Sequence, residues 1–217
     1  MSMSNEVNGN QVISAMKRVI NRVMVLKDEL NRLDAAIGDG DAGLTAVKGA
    51  IALEEYLASN PPIEDLGKLF SNAGLAINKA ASSTLGTLIA TALMRAGREA
   101  SGMAELDDNT IARMLGAADT GVQERGKAKP GDKTIVDALH PAAVAIIDAI
   151  EQGNSLKIAS RLMLDAARKG RDAAIPLRSK VGRSSWVGDR TENKLDPGTV
   201  LFVHILEAIV EEAETQI

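Results

Sequence analysis

Residues 13 to 45 read ISAMKRVINRVMVLKDELNRLDAAIGDGDAGLT. The first two thirds of this stretch form a helix. Ile13, Met16, Ile20, Val23, Leu30 and Leu33 recur mostly at three- and four-residue steps, as one buried helix face requires. The last third breaks that spacing. Asp34, Asp39 and Asp41 fall within eight residues, Gly38 and Gly40 stand between them, and Gly43 follows, so the backbone can turn sharply there. Helical spacing resumes at Leu44. The unit is therefore helix, acidic turn, helix, and the rest of the chain repeats its helical part.

Outward from this unit, a second helix is expected over Leu44 to Leu57, ending before Pro61-Pro62, and a third over Ile63 to Asn78. A fourth carries Leu85, Leu88, Ile89, Ala92, Leu93 and Ala96, and a fifth runs from about Thr110 to Arg125. A sixth starts after Asp132 and carries Ile135, Leu139, Ala143, Ile146 and Ile150. A seventh follows Asn154-Ser155 with Leu156, Ala159, Leu162, Met163 and Ala166. An eighth starts at Asp196-Pro197 with Val200, Val203, Leu206 and Val210. No convincing strand is read. Aromatic residues make up only 2%, which favours packed helices over a sheet. Most connections are short, so neighbouring helices should run antiparallel. The fold expected is all-α, one domain over residues 1–217. The exception is Ile175 to Leu195, rich in Ser, Gly, Arg and Asp. Loops of that length are uncommon unless they carry function or are disordered.

Composition excludes several classes. The chain has no cysteine, which removes disulfides, thiolate metal sites and cysteine nucleophiles. A net charge of -4 argues against binding nucleic acid, whose phosphates need a basic face. No apolar run reaches the roughly 18 residues of a membrane span, and Met1 to Asn10 is polar, without a signal-peptide core. A soluble, cytoplasmic protein is the expectation.

Converging carboxylates repel unless a cation lies between them, and carboxylate oxygens are the ligands magnesium prefers. Free amides at the start of the next helix, near Gly43, would add a place for polyphosphate. The other reading of the same residues is structural: Asp-Gly turns end one helix and cap the next. The spacing lacks the later ligands and closing glutamate of an EF-hand. Further helix starts are Ser82 to Thr87, Gly131-Asp132-Lys133-Thr134 with Asp132 as cap, and Asp196-Pro197-Gly198. In an up-and-down bundle the starts of helices two, four, six and eight share one end, whose combined partial positive charge suits an anion. The long loop returns to that end with Arg178, Lys180, Arg183 and Arg190, either to pair with phosphate or as a solvated surface. His140 and His204 read as structural or incidental. Trp186 is either a contact residue on the loop or a core residue. No phosphate-binding Gly-x-x-x-x-Gly-Lys loop or dinucleotide fingerprint is present.

Four ordered motifs resemble one family. They are Asp34-x-x-Ile37-Gly38-Asp39-x-Asp41-x-Gly43, the run Arg125 to Thr134, Gly182-Arg183-Ser184-Ser185-x-Val187-Gly188-Asp189-Arg190, and Asp196-Pro197-Gly198. Together they are similar to the nucleotide-binding subunit of dihydroxyacetone kinases, across nearly the whole chain. The resemblance implies an eight-helix antiparallel barrel with ADP or ATP and two magnesium ions at one rim, the metals held by Asp34, Asp39 and Asp41. It places Gly43, Leu44 and Thr45 against the phosphates and Thr84 and Leu85 on the phosphate-facing turn. Gly126 and Ile135 would line the adenine and ribose region, and Arg183, Asp196, Pro197 and Gly198 would close the site. It implies no catalytic residue in this chain, a partner subunit that binds the ketose covalently, and transfer of the γ-phosphoryl group to it. The phosphoryl donor is either exchanging ATP or a phosphotransferase-system protein that recharges held ADP. Two places depart from the family pattern: Ala42 stands where histidine is usual, and Ser82 to Thr87 replaces a Gly-Gly-Ala-Ser-Gly-Pro turn. A non-catalytic nucleotide-binding regulator is the alternative function, and a helical interaction module without nucleotide a third.

Overall fold

The computed structural model describes residues 6–215, so the polar start at Met1 to Asn10 lies partly outside them. The described chain is helical almost throughout. In order it forms β1 (Val7–Asn8), α1 (Gly9–Val25), α2 (Lys27–Ala35), α3 (Ala42–Ala58), α4 (Leu66–Ala80), α5 (Thr84–Glu99) and β2 (Glu105–Leu106). Then come α6 (Asp108–Gly126), α7 (Val136–Glu151), α8 (Leu156–Ala173), a 3-10 helix over Arg183–Thr191, and α9 (Pro197–Thr215).

The helices close into a ring. Helix α3 packs on α4, α4 on α5, and so on through α8 on α9, after which α9 packs on α1 and α1 on α3. That is the expected eight-helix antiparallel barrel. Its interior holds two apolar clusters. One gathers Ile20, Leu30, Leu53, Leu69, Ile77, Ala90 and Leu201 from α1 to α5 and α9. The other gathers Val122, Leu139, Ile146, Met163, Val203 and Leu206 from α6 to α9. Leu85 of α5 packs against both. Alanine and glycine let the helices approach closely. A β-carbon at Gly67 would sit 2.7 Å from the Gly97 carbonyl oxygen, and one at Gly170 would overlap the carbonyl oxygen of Asp137.

Three expectations change. The first predicted helix is two helices, because the Leu26 amide bonds Val23 O at 3.1 Å, a tighter turn than the α-helix makes. Val23, Leu26 and Leu30 are all buried across this break, so it keeps α2 on the core and places α2 beside α3 and α9. The chain also has a strand pair, two residues each, with Val7 opposite Leu106 in antiparallel register. It ties the start of α1 to the α5–α6 connection, at the end of the barrel away from the acidic turn. Such a pair is too short to leave a period-2 signal. Finally, the long loop holds a 3-10 helix whose backbone kinks at Gly188 (φ 67°, ψ -132°).

Candidate metal and nucleotide site

Asp34 lies four residues after Leu30 and so on the same, core-facing side of α2. It is 9% exposed. One of its carboxylate oxygens, Oδ2, accepts the amides of Asp41 (2.9 Å) and Ala42 (3.1 Å). The acidic turn is thus wrapped around Asp34, and a β-carbon at Gly38 would press on its other oxygen, Oδ1. Asp39 and Asp41 are exposed. One carboxylate oxygen from each of Asp34, Asp39 and Asp41 falls within 4.8 Å of the others. Oxygens on opposite sides of a magnesium ion stand about 4 Å apart, so the spacing of this set could hold a hard cation.

The start of α3 differs from expectation. The Ala42 amide is taken by Asp34, and the Leu44 amide donates to Asn31 Oδ1 at 3.1 Å. The Thr45 amide bonds Asp41 O at 2.9 Å. Several first-turn amides that seemed free for phosphate are therefore already used, and Asn31 of α2 is a residue the sequence reading missed. Its only sequence signal is its position three before Asp34, on the helix that leads into the turn. Gly43 is buried because a β-carbon there would overlap the carbonyl oxygen of Lys27. Leu44 is exposed, and Thr45 is buried.

The other rim residues cluster around the starts of α5, α7 and α9. Ser83 caps α5 by accepting the Gly86 amide at 3.2 Å. Thr84 is exposed, while the Leu85 side chain lies against the core, leaving its backbone for the rim. Gly126 ends α6 against Leu88, and Gly198 lies against Ile135. Asp196 caps α9: its carboxylate accepts the Thr199 amide at 2.8 Å, and Pro197 and Gly198 begin the helix. Burial pushes the Asp196 carboxyl up to about 7, against the Thr199 amide and the Lys133 ammonium, which favour its charge. The Arg183 side chain lies outside what the structure describes.

Asp132 does not cap the sixth predicted helix. That helix, α7, starts later, at Val136. Asp132 instead accepts the Lys129 amide (2.9 Å), while Asp137 accepts the amides of Gly131 (2.6 Å) and Thr134 (2.7 Å). His140, read as structural or incidental, is structural: it points Nδ1 at Asp119 Oδ2 at 2.8 Å between α6 and α7. Trp186 is 90% exposed, which settles its two readings in favour of the surface.

A closed helical ring with a tri-aspartate turn at one rim is the architecture present. The chain belongs to the DAK2 domain family, whose model matches residues 36–211. It is 26% identical over 204 residues to the ADP-binding subunit DhaL of the PEP-dependent dihydroxyacetone kinase of Escherichia coli (strain K12), covering 94% of this chain and 97% of that one. It is 31% identical over 199 residues to the L-erythrulose kinase of Pectobacterium atrosepticum, covering 91% of this chain and 34% of that one. The crystal structure of the dihydroxyacetone kinase from C. freundii in complex with AMP-PNP and Mg2+ superposes with a TM-score of 0.72 at 21% identity. That match covers 97% of this chain and 36% of the other. The chain thus spans nearly all of the first relative and about a third of the other two proteins. Among the described residues no helix is long and apolar enough to cross a membrane.

Proposed function

We propose that this chain is the nucleotide-binding subunit of a dihydroxyacetone-type kinase. It holds ADP or ATP through two magnesium ions and delivers the γ-phosphoryl group to a short-chain ketose bound on a partner subunit. The observation that carries this reading is the tri-aspartate turn, three carboxylate oxygens within 4.8 Å, at the rim of a DAK2 barrel. The similarity over 97% of an ADP-binding subunit supports it.

Asp34, Asp39 and Asp41 would hold the metals, which when bound neutralise phosphate charge and polarise the transferred group. The chain's own work is then placement. Asp34 holds the turn's shape with one oxygen and keeps the other for a cation. The rim formed by Gly43, Leu44, Thr45, Thr84 and Leu85 would face the phosphates. Gly126, Ile135, Arg183 and Asp196 to Gly198 would enclose the nucleoside. With the Ala42 and Leu44 amides engaged, phosphate binding falls mainly to the metals, so nucleotide should bind only with a divalent cation present. This reading asks no side chain of the chain to serve as nucleophile, since the acceptor arrives on a partner.

Calorimetric titration of ADP with and without magnesium tests the reading. Heat only in the presence of magnesium is expected. No binding in either condition overturns it. Native mass spectrometry of freshly purified protein then separates the donors: retained ADP with two metals favours recharging by a phosphotransferase-system protein, and a bare chain favours exchanging ATP. A non-catalytic nucleotide-binding regulator is the second reading, supported by the Gly86 amide, which Ser83 already holds away from phosphate. Turnover of a short ketose with the cognate ketose-binding subunit excludes the regulator.

A further inference from the structure

We propose that Lys133 is a positioning residue that fixes the 176–195 segment, with Trp186 at its surface, over the nucleotide rim. The inference rests on the nucleotide-site reading above. Lys133 is the largest fully buried side chain in the described protein, 1% exposed, and its backbone is left-handed (φ 59°). A buried ammonium is costly unless hydrogen-bonded. Its Nζ donates to the carbonyl oxygens of Ala174 (3.0 Å) and Ile175 (2.7 Å). These lie at the C-terminus of α8, where a cation is favoured, and they immediately precede the segment. The charges of Asp196, Asp137 and Glu192 also act on this ammonium. One buried side chain therefore holds the entry of a loop of some twenty residues.

A second lysine reinforces the entry. The Lys180 amide bonds Asp132 O at 3.1 Å. Its Nζ donates to Gly131 O at 2.8 Å and lies 3.7 Å from Asp132 Oδ1. The turn that carries Lys133 and receives Lys180 is itself held by Asp137, through the Gly131 and Thr134 amides. Inside the segment, the Ser179 amide bonds Thr191 Oγ1 (3.0 Å), that hydroxyl bonds Gly188 O (2.8 Å), and Arg178 pairs with Asp189 at 2.6 Å. The segment is thus braced within itself and tied to the barrel at its entry. The 131–137 turn also leads into Ile135, which lies against Gly198 at the rim. Displacing the Lys133 ammonium would let a braced unit swing as a whole rather than melt.

Trp186 is the only tryptophan, so its emission reports on this segment alone. The experiment compares steady-state anisotropy and acrylamide quenching of Trp186 in wild type, Lys133→Met and Lys133→Gln, with ADP titrated in magnesium. Lys133→Met is expected to lower the anisotropy and raise quenching. It should weaken ADP binding about tenfold, as when only a tenth of the population keeps the segment in place. Helical circular dichroism and a cooperative thermal transition should remain. Lys133→Gln, which keeps a donor, should recover part of both signals. Unchanged anisotropy and quenching in Lys133→Met overturn the proposal. Should that variant fail to fold, Lys180→Met serves instead, since its side chain is 60% exposed. A smaller change in the same direction is expected there, and none overturns the proposal. If wild type binds no nucleotide, the function proposed above fails, while the anisotropy comparison still decides whether Lys133 fixes the segment.

Discussion

Asp34 and Asp196 are both enclosed aspartates that accept amides at the start of a helix, but their surroundings set them apart. Asp34 has exposed carboxylates within reach on one side, and a cation would share its charge with them. On this basis Asp39→Asn should weaken magnesium-dependent ADP binding by at least about tenfold, since even residues one shell beyond a metal cost 10–100-fold. Helix content should not change. Unaltered affinity in calorimetry would remove the metal assignment. Asp196 has no such outlet, and burial lifts its carboxyl to about 7. A carboxyl raised on folding stabilises the fold below its unfolded value near 4, and that contribution is lost as pH climbs through 7. In Asp196→Asn the amide oxygen keeps the cap, and nothing titrates. The variant should therefore gain on wild type between pH 5 and pH 8, by on the order of 2 kcal/mol. Urea unfolding at the two pH values measures it, and a constant difference would refute it.

At the scale of elements, the junction of α2 and α3 shows how a helix pair shapes a site. Asn31 on α2 accepts the Leu44 amide of α3, and Gly43 brings α3 against the Lys27 carbonyl. Such contact fixes where the acidic turn can go. Gly43→Ala would place a methyl group on that carbonyl and force the two helices apart. A loss of about 1–3 kcal/mol is expected, typical of overpacking, together with weaker magnesium-dependent binding. Unfolding midpoints and an ADP titration on the same sample check both parts. Stability unchanged from wild type would mean that the junction yields at no cost.

At the scale of the whole molecule, the ring closes where α9 meets α1 and α8. Glu207 of α9 lies 3.4 Å from Arg22 of α1 and 2.8 Å from Arg168 of α8, with His204 at 2.8 Å. Burial works against its charge, but Arg168 and His204 hold the carboxyl below its usual value. Arg18 pairs with Glu212 at 2.6 Å across the α1–α9 seam. Glu207→Ala strands partners on both sides at once and should cost about 1–3 kcal/mol. Thermal unfolding gives the number, and a loss within error of zero would show that apolar packing alone closes the ring.

Apart from the break between α1 and α2 and the later start of α7, the helices, their antiparallel order and the tri-aspartate turn were legible in the chain. Each rests on local spacing: a buried face repeats every three or four residues, and a metal turn needs its carboxylates close together. The burial of Asp34 was not read from the sequence, although Leu30 one turn before it carries the signal. Local spacing cannot reveal a partner that lies far along the chain. Lys133 in the Gly131 to Thr134 turn reads as one more charge at a helix start, and only folding brings the α8 carbonyls of Ala174 and Ile175 to it. The Asp119–His140 pair, the use of the Leu44 amide by Asn31 and the closing role of Glu207 have the same origin. In each, a charge or donor is satisfied across helices, at a distance set by packing and not by sequence.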